Sequence, residues 1–336
     1  MSAPAPSMYS PAAKAVAEKL GLKMGRANLE EFADTLLALG RTDRNIVAVT
    51  SDSRGSGKLG PFGQALPKQI VEVGIAEQNL VGIAAGLGSC GKKVFAVSPA
   101  CFLTARSLEQ IKNDICYSDH PVTVVGISAG VSYGALGTTH HSLHDFAVLR
   151  AINNITIVAP ADNHEAREAV RASAAHDKPV YLRFGKAPLY HLPAADTAPF
   201  AFGKARQLRA GNDVAFLASG ETVIHALLAA AHLAETAGLQ CRVLSLPTIK
   251  PLDTEAVLTA VRECRAVITA EEHMINGGLG EAVAGVIAQA GLATRFKIAG
   301  IPDEYTATGS QADIFRHYGL SMEGLAETAR GLLAGS

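Results

Sequence analysis

A chain of 336 residues exceeds the size at which one hydrophobic core stops growing, and 48% hydrophobic with 18% charged residues excludes extended disorder and predicts two well-covered α/β units. A formal net charge of −1, with no basic stripe, argues against nucleic acid as a partner. The five cysteines form no Cys-x-x-Cys pair and no segment is apolar over a bilayer's thickness, so the expectation is a reduced, cytoplasmic protein.

Residues 1–24 read as an N-terminal extension that begins with an Ala/Pro/Ser-rich tail and lacks the basic start and apolar run of a secretory signal. From Ala27 to Leu39 the residues Leu29, Phe32, Ala33, Leu36 and Leu37 recur at helical spacing, and Gly40 supplies a stop. Short β-branched runs at 46–50, 69–73, 93–98, 122–127, 155–159 and 180–184 predict buried strands. Helices are expected between them at 80–89, 104–117 and 163–175, the rhythm of crossover connections and a mainly parallel sheet. This first domain spans 25–185. A proline-rich stretch without periodicity, 186–202, reads as a linker. The rhythm then restarts over 203–336, with strands at 214–218, 241–246 and 266–269 and helices at 222–237, 254–262 and 279–290. The predicted fold class is α/β, with two parallel-sheet domains.

Candidate chemistry begins at Glu77, where an apolar strand-like run delivers one carboxylate to the start of a small-residue helix. Desolvation there favours a shared proton, although a glutamate at a helix N-terminus also has a purely electrostatic use. The glycine-crowded segment from Asp52 through Ser56 to Gly60 could offer backbone N–H groups to phosphate, but it is not a Walker loop, and a surface loop explains it equally. His140, His141 and His144 cluster behind a glycine-rich loop and suit substrate contact; His140 and His144 have helical metal-pair spacing, yet no glutamate completes a His-Glu-x-x-His motif. Arg183 ends a strand and is read as a guanidinium at a sheet edge, suited to phosphate or to a salt bridge. The glycines at 277, 278 and 280 lack dinucleotide-binding spacing and are read as allowing close helix-to-strand packing.

Several strings, taken in order, resemble the C-terminal half of transketolase, that is, its pyrimidine-binding domain followed by its C-terminal domain. They are Gly74-Ile75-Ala76-Glu77-Gln78, Phe102-Leu103-Thr104 with Glu109 to Asp114, Gly137-Thr138-Thr139-His140 through Asp145, 155–162, and Thr248-Ile249-Lys250-Pro251-Leu252-Asp253. The resemblance implies thiamine diphosphate as cofactor, with Glu77 hydrogen-bonded to its aminopyrimidine and driving the tautomer that activates the thiazolium carbon. It implies Phe102 as an aromatic wall, Asp52 near the cofactor, His140 on the substrate, and Ser56 and Arg183 on the sugar phosphate.

The chain also departs from the family pattern. Leu108 and Ala105 replace aromatic residues of the pyrimidine pocket, which leaves stacking to Phe102 and Arg106. Ala135 and Leu136 replace an acidic pair, and Ser128 stands where a further histidine lies near the phosphate, so Ser128 joins the substrate candidates. The Gly-Asp-Gly motif that holds Mg2+ and the diphosphate does not occur here. The resemblance therefore implies the second subunit of a split transketolase, with an N-terminal-half partner that carries the diphosphate domain and most of the Mg2+ contacts, in an α2β2 assembly acting on sugar phosphates. The alternatives are the beta subunit of a 2-oxo acid dehydrogenase and a non-catalytic regulatory partner of the same fold.

Overall fold

The computed structural model describes residues 7–193 and 199–335. The first six residues of the expected extension, residues 194–198 of the expected linker, and Ser336 lie outside the described residues. Two large sheets organise the chain. The first has seven strands in the spatial order Thr248–Lys250, Thr156–Val158, Val180–Phe184, Val122–Ile127, Lys93–Pro99, Ile46–Thr50, Ile70–Glu72, all parallel except the first. The second has five, Arg295–Ile301, Ala266–Met274, Val214–Ala218, Arg242–Ser245 and Arg206–Arg209, with only the last antiparallel.

The interior strands Ile46–Thr50, Lys93–Pro99, Val122–Ile127 and Val180–Phe184 are buried along nearly their whole length, because helices cover both faces. Asn28–Thr42 and Asn163–Ala175 lie against one face of the first sheet, enclosing Phe32, Phe95, Phe184 and Leu182. The opposite face joins a core that continues into the second unit, where Leu217, Leu246, Val267 and Val283 pack with Leu80, Val124 and Ile157. The short strand Thr248–Lys250 leaves the second unit to pair with Thr156–Val158 of the first, stitching the two together through backbone hydrogen bonds as well as apolar contact.

Several elements differ from the sequence expectation. The predicted helix at 104–117 is three segments, Ala100–Arg106, Leu108–Gln110 and the π-helical Ile111–Tyr117. At the first break the Ser107 hydroxyl donates to the Leu103 carbonyl at 2.6 Å, a back-bond that bends helices. Within the expected linker, Pro188–Tyr190 forms an antiparallel ribbon with Met24–Ala27. In the expected extension, Met8 and Tyr9 are buried and Pro11–Lys19 packs on the helix Thr222–Ala237 of the second unit. The strand expected at 266–269 continues to Met274, because Glu271, Glu272 and His273, polar by sequence, are buried with partners. The close packing expected at the later glycines is present: a Cβ on Gly280 would lie 2.5 Å from Ile298 of the adjacent strand. Among the described residues no helix is long and apolar enough to cross a membrane.

Candidate active site

Parallel strands collect their following loops at one edge of the sheet, the usual place for ligands in α/β proteins. There the candidate residues Glu77, Phe102, Arg106, His140 and His144 come together. Glu77 is the first residue of the helix Glu77–Ser89 and is only 5% exposed. The run before it is not a buried strand as expected: Ile70–Glu72 is an edge strand, half-buried at best, and Ile75 is 75% exposed. Burial of the carboxylate therefore comes from the packing of its own helix and of Arg106. Arg106 Nη1 lies 2.9 and 3.0 Å from the two Glu77 oxygens, and its guanidinium carbon stands 4.5 Å from the centre of the Phe102 ring. Because the helix break at Ser107 leaves Arg106 at a segment end, the guanidinium can satisfy Glu77 and stack on Phe102 together.

The aromatic row continues from Phe102. Its ring meets His140 edge-on at 5.3 Å, and His140 meets Tyr133 in the same manner at 5.4 Å. Lys186 Nζ sits 3.8 Å above the Tyr133 ring, and burial lowers the pKa of this amine. His140 Nδ1 is 2.9 Å from Thr139 Oγ1, and His144 Nε2 is 3.2 Å from Thr104 Oγ1. Tyr133 and Lys186 are not singled out by the sequence. Tyr133 lies inside the glycine-rich loop already noted and Lys186 two residues beyond a strand end, so position relative to strand ends is the signal that could have found them.

Asp52 and Ser56 lie on the neighbouring loop and are exposed. The Asp52 backbone, at φ 52°, donates to Glu72 Oε1 at 2.6 Å, which ties the loop to the edge strand. Ser56 Oγ is 3.5 Å from the Ser53 carbonyl.

Two expectations need correction, and the spacing of one histidine pair is explained. Arg183 is not at a sheet edge; its strand is interior, flanked by Val122–Ile127 and Thr156–Val158. Its guanidinium is buried, with Nε 2.8 Å from Asp145 Oδ2, Nη2 bonded to the carbonyls of Ser142 and Glu272 and Nη1 3.8 Å from Glu272 Oε2, so it is turned into the protein and away from the surface. Ser128 is fully buried just after its strand and presents no surface to a substrate. His140 and His144 do not share a helix: His140 closes a turn and His144 precedes the helix Asp145–Arg150, so their i, i+4 spacing carries no metal geometry.

Beneath the loops lies a seam of buried acids between the two units. Gln311 Nε2 donates to both Glu221 Oε2, at 2.6 Å, and Glu272 Oε1, at 2.8 Å. Burial, then the neighbouring Glu272 charge, raises the Glu221 pKa; burial likewise raises Glu272, and pushes Glu271 up to about 7. An acid raised on folding holds its proton more tightly in the native state, so its contribution is complete below the unfolded value of 4.5 and is lost as pH rises through 7. His225 and His273, lowered to about 4 by burial, act in the opposite sense, but only below their unfolded value of 6.5. Between pH 6.5 and 8.5 the carboxyls act alone, and the melting temperature is expected to fall across that interval. A flat or rising profile in calorimetry would contradict the buried-acid assignment.

Comparison with known proteins agrees with this architecture. The transketolase pyrimidine binding domain family matches residues 26–190, and the transketolase C-terminal domain family matches 203–325. The chain belongs to the transketolase family. Within it, the chain aligns along nearly the whole length of subunits from split transketolases. It is 49% identical over 300 residues to an apulose-4-phosphate transketolase subunit of Phocaeicola vulgatus, covering 89% of this chain and 95% of that one. To the corresponding subunit of Actinobacillus succinogenes it is 39% identical over 289 residues, covering 86% and 92%. A solved split-gene transketolase, described as an inactive beta4 tetramer, superposes with a TM-score of 0.82 at 33% identity, covering 92% of this chain and 99% of the other.

Proposed function

We propose that this chain is the pyrimidine-side subunit of a two-chain, thiamine-diphosphate-dependent transketolase that moves a two-carbon ketol unit from a ketose phosphate to an aldose phosphate. The observation that carries the reading is the buried Glu77 carboxylate at a helix start, facing a cation that lies on the Phe102 ring. A flat, protonatable heterocycle fits that setting, because it needs one buried acceptor and one aromatic face. The guanidinium of Arg106 holds both positions in this chain alone, so Arg106 moves aside or shares the carboxylate when the ring enters. When bound, the cofactor supplies the electron sink for carbon–carbon cleavage.

The remaining work falls to this chain's own side chains. Glu77 would hold or release a proton at its buried carboxylate for that heterocycle. Phe102 excludes water from one face of the site. His140, held against Phe102 and Tyr133, presents its ring to sugar hydroxyls, with His144 further along the same loop. With Arg183 and Ser128 enclosed, Lys186 is a cation beside Tyr133, and we assign phosphate attraction to Lys186 together with the exposed Ser56 loop. The domain limits 25–185 and 203–336, the α2β2 stoichiometry, Mg2+ held mainly by an N-terminal-half partner, and a cytoplasmic site of action belong to the same proposal.

Two measurements test it. Isolated, the chain is expected to bind thiamine diphosphate weakly in calorimetry and to gain affinity with its partner; tight Mg2+-dependent binding by the chain alone would overturn the split arrangement. Reconstituted with the partner, it is expected to turn over a ketose phosphate from a panel that begins with apulose 4-phosphate, the substrate in its relatives' names. Acyl transfer to a lipoyl domain without ketol transfer would favour the oxo acid dehydrogenase reading.

A further inference from the structure

The loop that carries His140 belongs to the first sheet, but the second unit holds it. His141, buried beside His140, uses both ring nitrogens: Nε2 is 2.9 Å from the Gly134 carbonyl oxygen and Nδ1 is 2.8 Å from Thr306 Oγ1. A carbonyl can only accept, so Nε2 carries the hydrogen. Burial disfavours the charged ring, and Nδ1 is therefore bare and accepts from the Thr306 hydroxyl. Having donated its hydrogen, Thr306 Oγ1 can only accept from Thr138 Oγ1, 3.0 Å away. Thr138 Oγ1 in turn accepts from the Thr306 backbone N–H at 3.3 Å. Every hydrogen in this set of four bonds has one place.

Other contacts seat the same two segments against each other. The Val131 N–H donates to Glu272 Oε1 of the second unit at 2.9 Å. A Cβ on Gly134 would lie 2.5 Å from the Gly309 carbonyl oxygen, and one on Gly137 would lie 2.9 Å from Thr308 Cγ2. The loop thus has little room to shift except by parting from the 306–309 segment. Thr306 makes side-chain or backbone bonds to Thr138, in the turn that ends at His140, and to His141, just beyond it, which makes it the hub of the contact.

We propose that Thr306 is a positioning residue: through His141 and Thr138 it fixes the turn that holds the His140 ring against Phe102 and Tyr133, so the second domain sets the geometry of the sugar-contacting histidine. The sugar role of His140 rests on the function proposed above; the positioning itself does not.

The test uses the full chain with labelled histidine, as wild type, Thr306→Val and Thr306→Ser. In the wild type, nitrogen NMR should report His141 as the Nε2–H tautomer, and the His140 ring protons should carry ring-current shifts from Phe102 and Tyr133. Thr306→Val keeps the branched shape but removes the hydroxyl, and should shrink the His140 shifts; Thr306→Ser should restore them. With the partner present, Thr306→Val should raise KM for the sugar phosphate about tenfold, the equivalent of roughly one lost hydrogen bond, with a smaller change in kcat. Unchanged His140 shifts in Thr306→Val, or a serine variant that behaves like the valine, overturn the proposal. If Thr306→Val does not fold, Thr138→Val breaks the same set of bonds from the other side, and unchanged His140 shifts there overturn it equally. Altered His140 shifts in preparations that turn over no sugar phosphate in any form leave the positioning standing and count against the transketolase reading.

Discussion

Replacing Glu77 by glutamine in the reconstituted enzyme is expected to lower turnover by about 10²–10⁴, the usual worth of a positioned proton-transfer group. The amide keeps the volume of the side chain and can still accept a hydrogen bond, so packing and cofactor affinity change less than the rate. Stability should stay within about 1 kcal/mol, because the Arg106 partner is half exposed and can rehydrate when the ion pair is lost. Single-turnover kinetics and a thermal melt on the same sample separate the two effects. Near-normal turnover would remove Glu77 from the proton path, and a collapsed melt would show that its role is structural.

Arg183→Ala is expected to act in the opposite way, destabilising the chain by about 3–5 kcal/mol, because removal of one member of a buried pair leaves an uncompensated charge. That charge is Asp145, which has no exposure. Burial alone would raise the Asp145 pKa; the Arg183 charge and the Tyr181 hydroxyl, 2.7 Å away, hold it below the usual value. The same guanidinium bonds the carbonyls of Ser142 and Glu272, so its loss also frees the end of the histidine loop from the second unit. Denaturant melts of Arg183→Ala beside Arg183→Met/Asp145→Leu decide the cause, since removal of both charges should recover much of the loss. If Arg183→Ala melts normally and only raises KM for phosphorylated sugars, the residue contacts phosphate after all and the buried pair is not its purpose.

These two residues mark how far a linear reading reaches. Glu77 was legible because its neighbours carry a pattern: a run of apolar residues, then an acid, then a helix of small residues. The helix Thr222–Ala237 and the strands Val122–Ile127 and Val180–Phe184 were legible for the same kind of reason, since local periodicity and β-branching report burial directly. Arg183 could be placed on its strand but not within the sheet, because strand order is decided by crossovers that no local signal encodes. The sequence predicts one continuous helix at 104–117 because Ser107 breaks it through a side-chain bond to the backbone, which competes with helix formation without altering the hydrophobic pattern.

By itself, the amino-acid order determined the two α/β units, most of their buried strands and helices, and the acid at the centre of the candidate site, since each of these is written in side-chain type and spacing along the chain. Only the tertiary structure decided that Arg106 lies on Phe102 and against Glu77, that Arg183 is sealed inside, and that the His140 loop is held from the second unit by Thr306. Those outcomes depend on contacts between residues far apart in sequence, such as His141 and Thr306 with a sequence separation of 165, and they form only once the shared hydrophobic core has brought the two sheets together.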